Sequence, residues 1–359
     1  IEKIFIFLKK ILNMFKMIKY IFTFIVAIVL FNSCSTDVDL TQEWQDIPIV
    51  YSILDLNSST QYIRINRAFL GDGDASQLSH IPDSINYNYL LDVRVKEYDH
   101  DGNFVKEYIC DTVHLWYNSD AFYSGYMPIY RFTIPNPFSI DYYDTTWLNP
   151  NYKYELVIYN PKYDKLITSS CDVIGNISIT KPYSGQPYLD FHTNSKSSIE
   201  WTSAKNGRLY ELLFRFYYKE VNINNPADTL YKYIDWNLGS VKSSKLIGGE
   251  NLTIAYYNQG FFDNLKNHLT IDNNINRIIG KIELIITVGD DNMATYIALN
   301  GSSSTSLSQS RPVFTNIDNG IGLFTSKRTF KRSYSLNSTT QILLTTREDL
   351  VSLNFKTDI

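Results

Sequence analysis

Cysteine and histidine are scarce in this sequence, and the few that occur do not cluster. Its 359 residues include three Cys and five His. No CxxC, no HExxH and no mixed Cys/His group stands at metal-ligand spacing, so a zinc site has no support. We therefore predict that the protein holds no metal.

Motifs for nucleotide binding and for nucleophilic catalysis are also missing. The sequence contains no GxGxxG, no Walker loop and no GxSxG elbow. This predicts a non-enzymatic protein with no catalytic residues and no cofactor. A hydrolase whose site is assembled only in the folded chain stays open as the third choice of function.

Positive charge is in short supply once the start of the chain is set aside. The chain has 33 basic and 37 acidic residues, and five Lys and one Glu fall within the first 33 positions. The remainder has 28 basic and 36 acidic residues, a net charge of −8. Nucleic-acid binders normally carry the opposite balance, so we expect no nucleic-acid partner.

Aromatic residues, by contrast, are abundant. The sequence has 28 Tyr and 20 Phe, with 44% hydrophobic and 19% charged residues, which is a globular composition. Aromatic side chains favour pleated sheet, and the chain is long enough for two domains with separate cores. An all-β protein is expected.

A short apolar segment lies near the start of the chain, directly after two lysines. Tyr20–Phe31 is twelve residues long and follows Lys16 and Lys19. Such a run is too short to span a bilayer comfortably but is typical of a signal-peptide core. We predict a signal peptide over residues 1–33. Met17 with the apolar run that follows it is by itself a complete short signal peptide, so translation from Met17 is an alternative to translation from residue 1.

The apolar segment ends in Leu30-Phe31-Asn32-Ser33-Cys34, with a small residue directly before the cysteine. This ending resembles the lipobox of bacterial lipoproteins, which implies a lipid on Cys34. An ordinary secretion signal and an anchor helix with a chance cysteine are the alternatives. The lipobox predicts a lipid-anchored protein of the outer membrane, either periplasmic or surface-exposed, with residues 34–46 as its tether.

From residue 47 onward, apolar and polar residues alternate with the period of a strand. Ile63 and Ile65 alternate with Arg64 and Asn66, and an Asp-Gly turn at 101–102 separates two further strands. Leu148, Pro150 and Tyr154 resemble the tyrosine corner of fibronectin type III domains, in which the hydroxyl bonds back to the chain. These patterns therefore predict an Ig-like or fibronectin-like β-sandwich over residues 47–175.

A second β-sandwich is predicted over residues 176–359. Trp201 resembles the inward Trp of such domains, and residues 210–218 alternate as a strand with Tyr210, Phe214 and Tyr218 on one face. Residues 258–270 carry the apolar spacing of a short amphipathic helix. We predict two tandem sandwiches, the second with this helical insertion.

The string Arg311-Pro-Val-Phe314-Thr-Asn-Ile-Asp-Asn-Gly320-Ile-Gly322-Leu-Phe324 is distinctive. It is similar to an RPxFTNIxxGxGxF signature of uncharacterised Bacteroidetes-type outer-membrane lipoproteins, a family with a domain of unknown function, and Tyr62–Ala75 resembles their amino-terminal domain. The resemblance implies an envelope lipoprotein that works alongside nutrient-uptake systems, and it implies no activity. The glycines predict a tight turn into a strand, with Phe314 and Phe324 plugging the core.

The segment 116–147 is rich in aromatic residues interleaved with Asp, Asn and Ser. Exposed rings there would stack on sugars, whereas core filling is the alternative. The candidate ligand-binding aromatics are Trp116, Tyr123, Tyr126, Tyr143 and Trp147.

Two further groups of residues have alternative interpretations. Cys110 and Cys171 are either disulfide-bonded, which an oxidising compartment permits, or buried free thiols. Asp72 and Asp74 are weak candidates for calcium on a loop that is otherwise a solvated turn. The basic run 327–332 predicts a solvated strand face or a contact with anionic lipid or polysaccharide.

Taken together, these patterns predict a membrane-anchored binding or accessory module of the cell envelope that recognises a glycan, a peptide or a partner protein. The alternative is a structural subunit that docks on an outer-membrane transporter or another envelope complex.

Overall fold

Strands are the predominant secondary structure of the residues that the structure describes. A computed structural model describes residues 46–68, 75–119, 123–141, 144–192, 195–301 and 314–357. The strands of the first half are β1 (Pro48–Asp55), β2 (Thr60–Arg67), β3 (Asp92–Tyr98), β4 (Phe104–Ile109), β5 (Asp111–Tyr117), β6 (Gly125–Thr133), β7 (Lys153–Asn160) and β8 (Lys165–Asp172). Those of the second half are β9 (Ser178–Lys181), β10 (Tyr188–Leu189), β11 (Lys196–Thr202), β12 (Leu209–Asn222), β13 (Thr229–Lys242), β14 (Asn251–Tyr257), β15 (Ile275–Gly289), β16 (Ile321–Leu336) and β17 (Phe355–Lys356).

Helices are short and few among the described residues. They are α1 (Ala75–Leu78), α2 (Pro82–Ile85), α3 (Gln259–His268), α4 (Asp291–Gly301), α5 (Ser338–Thr346) and a 3-10 turn (Val351–Leu353). None within the described ranges is long and apolar enough to cross a bilayer. The predicted all-β, sandwich-type fold is confirmed. The predicted signal peptide and Cys34 lie outside the described residues, as does the predicted tether up to Gln45.

The strands form one long sheet and two small ones. The long sheet has ten strands, with the order β13-β12-β15-β16-β1-β2-β6-β5 and with β10 and β17 added beside β16 and β15. The small sheets have the orders β4-β3-β7-β8 and β14-β11-β9. Hydrophobic residues from each small sheet share a core with the long sheet, so the small sheets cover two stretches of the same face.

The first core lies between the long sheet and β4-β3-β7-β8. Val50, Ile63 and Phe132 from the long sheet are buried against Val93 and Leu156. Tyr154 is fully buried, and its hydroxyl accepts a hydrogen bond from the Asn149 N–H at 3.1 Å, so the predicted tyrosine corner is present.

The second core lies between the long sheet and β14-β11-β9. Alternate residues of β12 from Tyr210 to Tyr218 are buried, as their period of two predicts. Trp201 on β11 is buried against Tyr210. Helix α3, which confirms the predicted helix near 258–270, adds Phe261 to this core, where it stacks on Phe191 with 4.4 Å between ring centroids.

Strand β16 is shared by both cores. Its residues 321–327 pair in parallel with β1, and residues 327–334 pair antiparallel with β15. Phe324 therefore packs in the first core and Phe330 in the second, while Phe314 is only half-buried. The long sheet crosses the predicted domain boundary at 175/176, because the parallel pairing of β1 with β16 joins the two halves.

Candidate functional site

The other face of the long sheet points away from both cores. Because side chains alternate along a strand, the residues between the core positions share this face. We call it the open face, and near β16 it carries Tyr51, Ile53 and Asp55 of β1, Tyr62 and Arg64 of β2, Ile129 of β6, and Leu323 and Lys327 of β16. A sheet face exposed to water usually carries mainly polar side chains, whereas this face also carries several large apolar and aromatic ones.

Helix α4 packs on the middle of the open face and is fixed there by one carboxylate. Asp290 directly precedes α4, is almost fully buried, and accepts the Met293 N–H at 2.8 Å and the Ser326 N–H at 3.0 Å. The Thr325 hydroxyl donates to the same carboxylate. The carboxylate thus caps the helix and ties it to β16. Burial raises the pKa of Asp290, against the opposing effect of these hydrogen bonds.

A groove runs along the side of α4. It has a volume of about 670 Å³, and its walls are mostly apolar. The side chains of Tyr51, Ile53, Tyr62 and Ile297 in its walls remain 40–48% exposed. Burial and the hydroxyl of Tyr296, which donates to the Tyr51 hydroxyl at 3.4 Å, raise the pKa of Tyr51 to about 12, so Tyr51 is neutral at physiological pH.

The open face continues across the second half of the sheet as a mixture of tyrosines and cations. The Arg215 guanidinium lies 4.1 Å from the Tyr233 ring centroid and pairs with Asp235 at 2.7 Å. Lys281 lies 5.0 Å from the ring centroid of Tyr217. Cross-strand pairing places Arg64, Arg131, Arg215, Lys219, Lys281, Lys327 and Lys331 on this face, against Asp55, Asp111, Glu211, Asp235 and Glu283. On these rows basic side chains outnumber acidic ones, although the chain after residue 33 is acidic.

The predicted ligand-binding aromatics are only partly brought together. Trp116 and Tyr126 are cross-strand neighbours with their rings edge to face, and Tyr123 lies just before β6 in the same hairpin. Trp147 is elsewhere, packed against the first core. Tyr143 lies outside the described residues.

The described residues include no group of three side chains able to hold a metal ion. Asp72 and Asp74 lie outside the described residues. Asp99, just before the predicted Asp-Gly turn, accepts the N–H groups of Asp101 and Asn103 at 3.0 and 2.9 Å and so closes that hairpin turn.

Cys110 and Cys171 are free thiols in the structure, so the disulfide, the first of the two predicted alternatives, is not formed. Cys171 is buried in the first core on β8, and Cys110 is partly buried between β4 and β5. Burial raises the pKa of both thiols, to about 12 for Cys110, so neither is poised as a thiolate nucleophile.

The basic run 327–332 is not uniformly solvated. Lys327 pairs with Asp55 on the open face at 3.1 Å, but Arg328 is buried and pairs with Asp144. An arginine in this position joins the β6–β7 loop to β16, so it serves the fold rather than an anionic surface.

A surface His–Asp pair does not amount to a catalytic site. His192 Nδ1 lies 2.6 Å from Asp190, but the nearby Ser195 hydroxyl donates to the His192 carbonyl at 2.9 Å. A nucleophile needs its hydroxyl directed at the base, so this arrangement does not activate the serine.

Sequence reasoning did not identify the groove. Its walls come from separate segments, with Tyr51 on β1, Tyr62 on β2 and Tyr296 on α4. One signal in the sequence could have indicated it. Tyr51, Ile53 and Tyr62 alternate with the core residues of β1 and β2, at positions where a solvated strand normally has polar side chains. No family model matches this sequence, and no curated protein matches it.

Proposed function

We propose that this chain is a lipid-anchored, non-enzymatic binding protein of the outer membrane that recognises a partner protein of the cell envelope through its open face. The observation that carries the proposal is the groove beside α4, where large apolar side chains stay substantially exposed on one continuous sheet face. Exposed apolar patches of this kind mark interaction sites in soluble proteins. The anchor rests on the lipobox-like Leu30–Cys34.

The composition of the open face supports a protein partner. Tyrosine and arginine are the residues enriched at the centres of protein interfaces, because they supply large contact areas together with hydrogen-bonding groups. Tyr51 and Tyr62 line the groove, and Arg64 stacks on Tyr117 with 4.5 Å to the ring centroid. Their positions on the strands already restrict these rings, so binding a partner would cost little additional side-chain entropy.

The charge of the open face indicates the chemistry of the partner. The surplus of Arg and Lys on this face would repel a basic surface and attract an acidic one. We infer that the partner presents an apolar segment flanked by carboxylates. Association should therefore slow as salt is added, because screening weakens the attraction between exposed charges.

Site-specific photocrosslinking in cells tests this function. Benzoylphenylalanine placed at Tyr62 or Ile297 of the full chain should capture one protein of the envelope. The matched position is Tyr257, which is 62% exposed and belongs to β14 in the small sheet on the core side of the long sheet. It should capture nothing comparable.

A substitution that places a negative charge in the groove is the second test. Ile53→Asp should abolish capture from position 297, whereas Ile247→Asp, on a solvated loop, should leave it unchanged. Equal capture at Tyr62 and Tyr257, or capture that survives Ile53→Asp, would contradict the proposal. Crosslinks between two copies of this chain would replace the partner with self-association and would also overturn it.

A further inference from the structure

Two large aromatic residues lie at the edge of the long sheet, on the opposite face of the β5–β6 hairpin from Leu115. Trp116 of β5 is directly opposite Tyr126 of β6, with 5.3 Å between ring centroids and 81° between ring planes. Both residues are 64% exposed. An edge-to-face contact occupies one face of a single ring, so the pair leaves other ring faces in water.

The hairpin holds this pair in place before any ligand arrives. The Ser124 hydroxyl donates to the Ser119 carbonyl at 2.8 Å and accepts the Ser119 N–H at 2.9 Å, which closes the base of the loop. The Tyr123 ring lies against the Gly125 backbone, so a side chain at residue 125 would require that ring to move. Strand register then fixes Trp116 against Tyr126, so little ordering would accompany binding.

A pocket begins one residue pair farther along the same face. Its volume is about 290 Å³, and the cross-strand pairs His114–Pro128 and Thr112–Tyr130 form one wall. Residues 87–90, among them Asn88, also line the pocket. The described residues that line the pocket contain no Asp, Glu, Lys or Arg. Hydrogen bonding there comes from amide, hydroxyl and imidazole groups.

We propose that the Trp116–Tyr126 pair and this pocket form a binding site for a neutral saccharide. A sugar ring has an apolar C–H face, which stacks on an aromatic ring, and a rim of hydroxyls, which pairs with amide and imidazole groups. The Trp116 and Tyr126 rings would take the apolar face, and Asn88 and His114 would take hydroxyls of the sugar residue in the pocket. The absence of charged lining residues disfavours acidic sugars and charged peptides.

Titration with neutral oligosaccharides tests the site. The probes are cellohexaose, maltohexaose and mannohexaose, titrated by calorimetry against residues 34–359. We expect at least one probe to bind, with affinity reduced at least tenfold by Trp116→Ala and by Tyr126→Ala. Tyr126→Phe should bind nearly as well as the parent chain, because it keeps the stacking ring. Tyr183→Ala, which removes a similarly exposed aromatic elsewhere, should bind as the parent does.

Several results would overturn the proposal. Failure of all three probes to bind the folded parent chain would do so, as would binding that Trp116→Ala leaves intact. Benzoylphenylalanine at position 116 that captures an envelope protein would show a protein contact in place of a saccharide. Thermal unfolding of each variant establishes that lost binding is not lost folding. The open face is separate, so crosslinking from position 62 should be the same in Trp116→Ala.

Discussion

Single hydroxyl groups fix the chain at the ends of strands in both cores. The Tyr154 hydroxyl accepts the Asn149 N–H and lies beside the Glu97 carboxylate, and the Tyr210 hydroxyl accepts the Ala204 N–H at 2.8 Å. Burial raises the pKa of both tyrosines, to about 12 for Tyr210, so both stay neutral. Each hydroxyl satisfies a backbone group that the core would otherwise leave without a partner.

Removing one of these hydroxyls should destabilise the protein measurably. Tyr154→Phe keeps the ring but leaves the Asn149 N–H without its acceptor, so the free energy of unfolding should fall by about 1–3 kcal/mol. Urea unfolding followed by circular dichroism measures the change. Tyr159→Phe, which removes a solvent-exposed hydroxyl bonded to Asp164, should change stability by less than about 0.5 kcal/mol. Equal effects of the two variants would refute the role given to Tyr154.

At the scale of elements, the sequence predicted strands whose apolar residues all fall on one face, such as β12. It did not predict helices α4 and α5. Strand β12 was predictable because its apolar residues alternate without interruption from Tyr210 to Tyr218. Helix α4 and helix α5 have weak amphipathic patterns and begin at single polar residues. Asp290 caps the first, and Asn337 caps the second by accepting the Thr340 N–H at 2.9 Å. Both caps bond within the first turn of their own helix, but Asp and Asn are also favoured in turns, so without a strong amphipathic pattern they do not predict a helix.

For the candidate sites, too, the sequence named some of the residues but could not show which of them come into contact. The sequence named Trp116 and Tyr126 as binding aromatics, but their contact depends on the β5–β6 register. It grouped Trp147 with them because of its nearness in sequence, whereas the fold places it on the first core. The groove was not predictable, because alternation along β1 shows two faces and does not show which face receives a small sheet.

The pairing of β1 with β16 depends on one glycine. Gly322 has a φ of +126°, and a Cβ there would collide with the Val50 carbonyl oxygen on β1. Gly322→Ala should lower the free energy of unfolding by about 3–4 kcal/mol, because backbone strain adds to the collision. It should also disturb the groove, since Leu323 follows directly.

Gly249→Ala is the matched control for this change. Gly249 has a φ of +77°, but no atom lies within 4 Å of its added Cβ. Strain alone should then lower stability by about 1–2 kcal/mol. Chemical denaturation of both variants gives the comparison, and a Gly322→Ala effect no larger than that of Gly249→Ala would show that the β1–β16 contact tolerates a side chain.

At the scale of the whole molecule, the two cores depend on one strand. Strand β16 brings Phe324 to the first core and Phe330 to the second, and its pairing with β1 is the join that makes one long sheet. Ile317, just before β16, also belongs to the first core. The first core therefore requires residues that lie about 150 positions beyond β8 in the chain.

This dependence predicts that residues 46–175 do not fold alone, although their sequence pattern predicts a complete sandwich. The fragment lacks Phe324 and Ile317, whose burial contributes about 2 kcal/mol each, and it leaves β1 as an unpaired edge with an apolar outer face. Together these losses are a large part of the 5–15 kcal/mol that stabilises a typical domain. We expect poorly dispersed amide NMR signals and no cooperative urea transition from the fragment, against a single transition from residues 46–357. A dispersed spectrum with a sigmoidal transition would instead establish an independent domain ending near residue 175, and β16 would then be an added strand rather than a shared one.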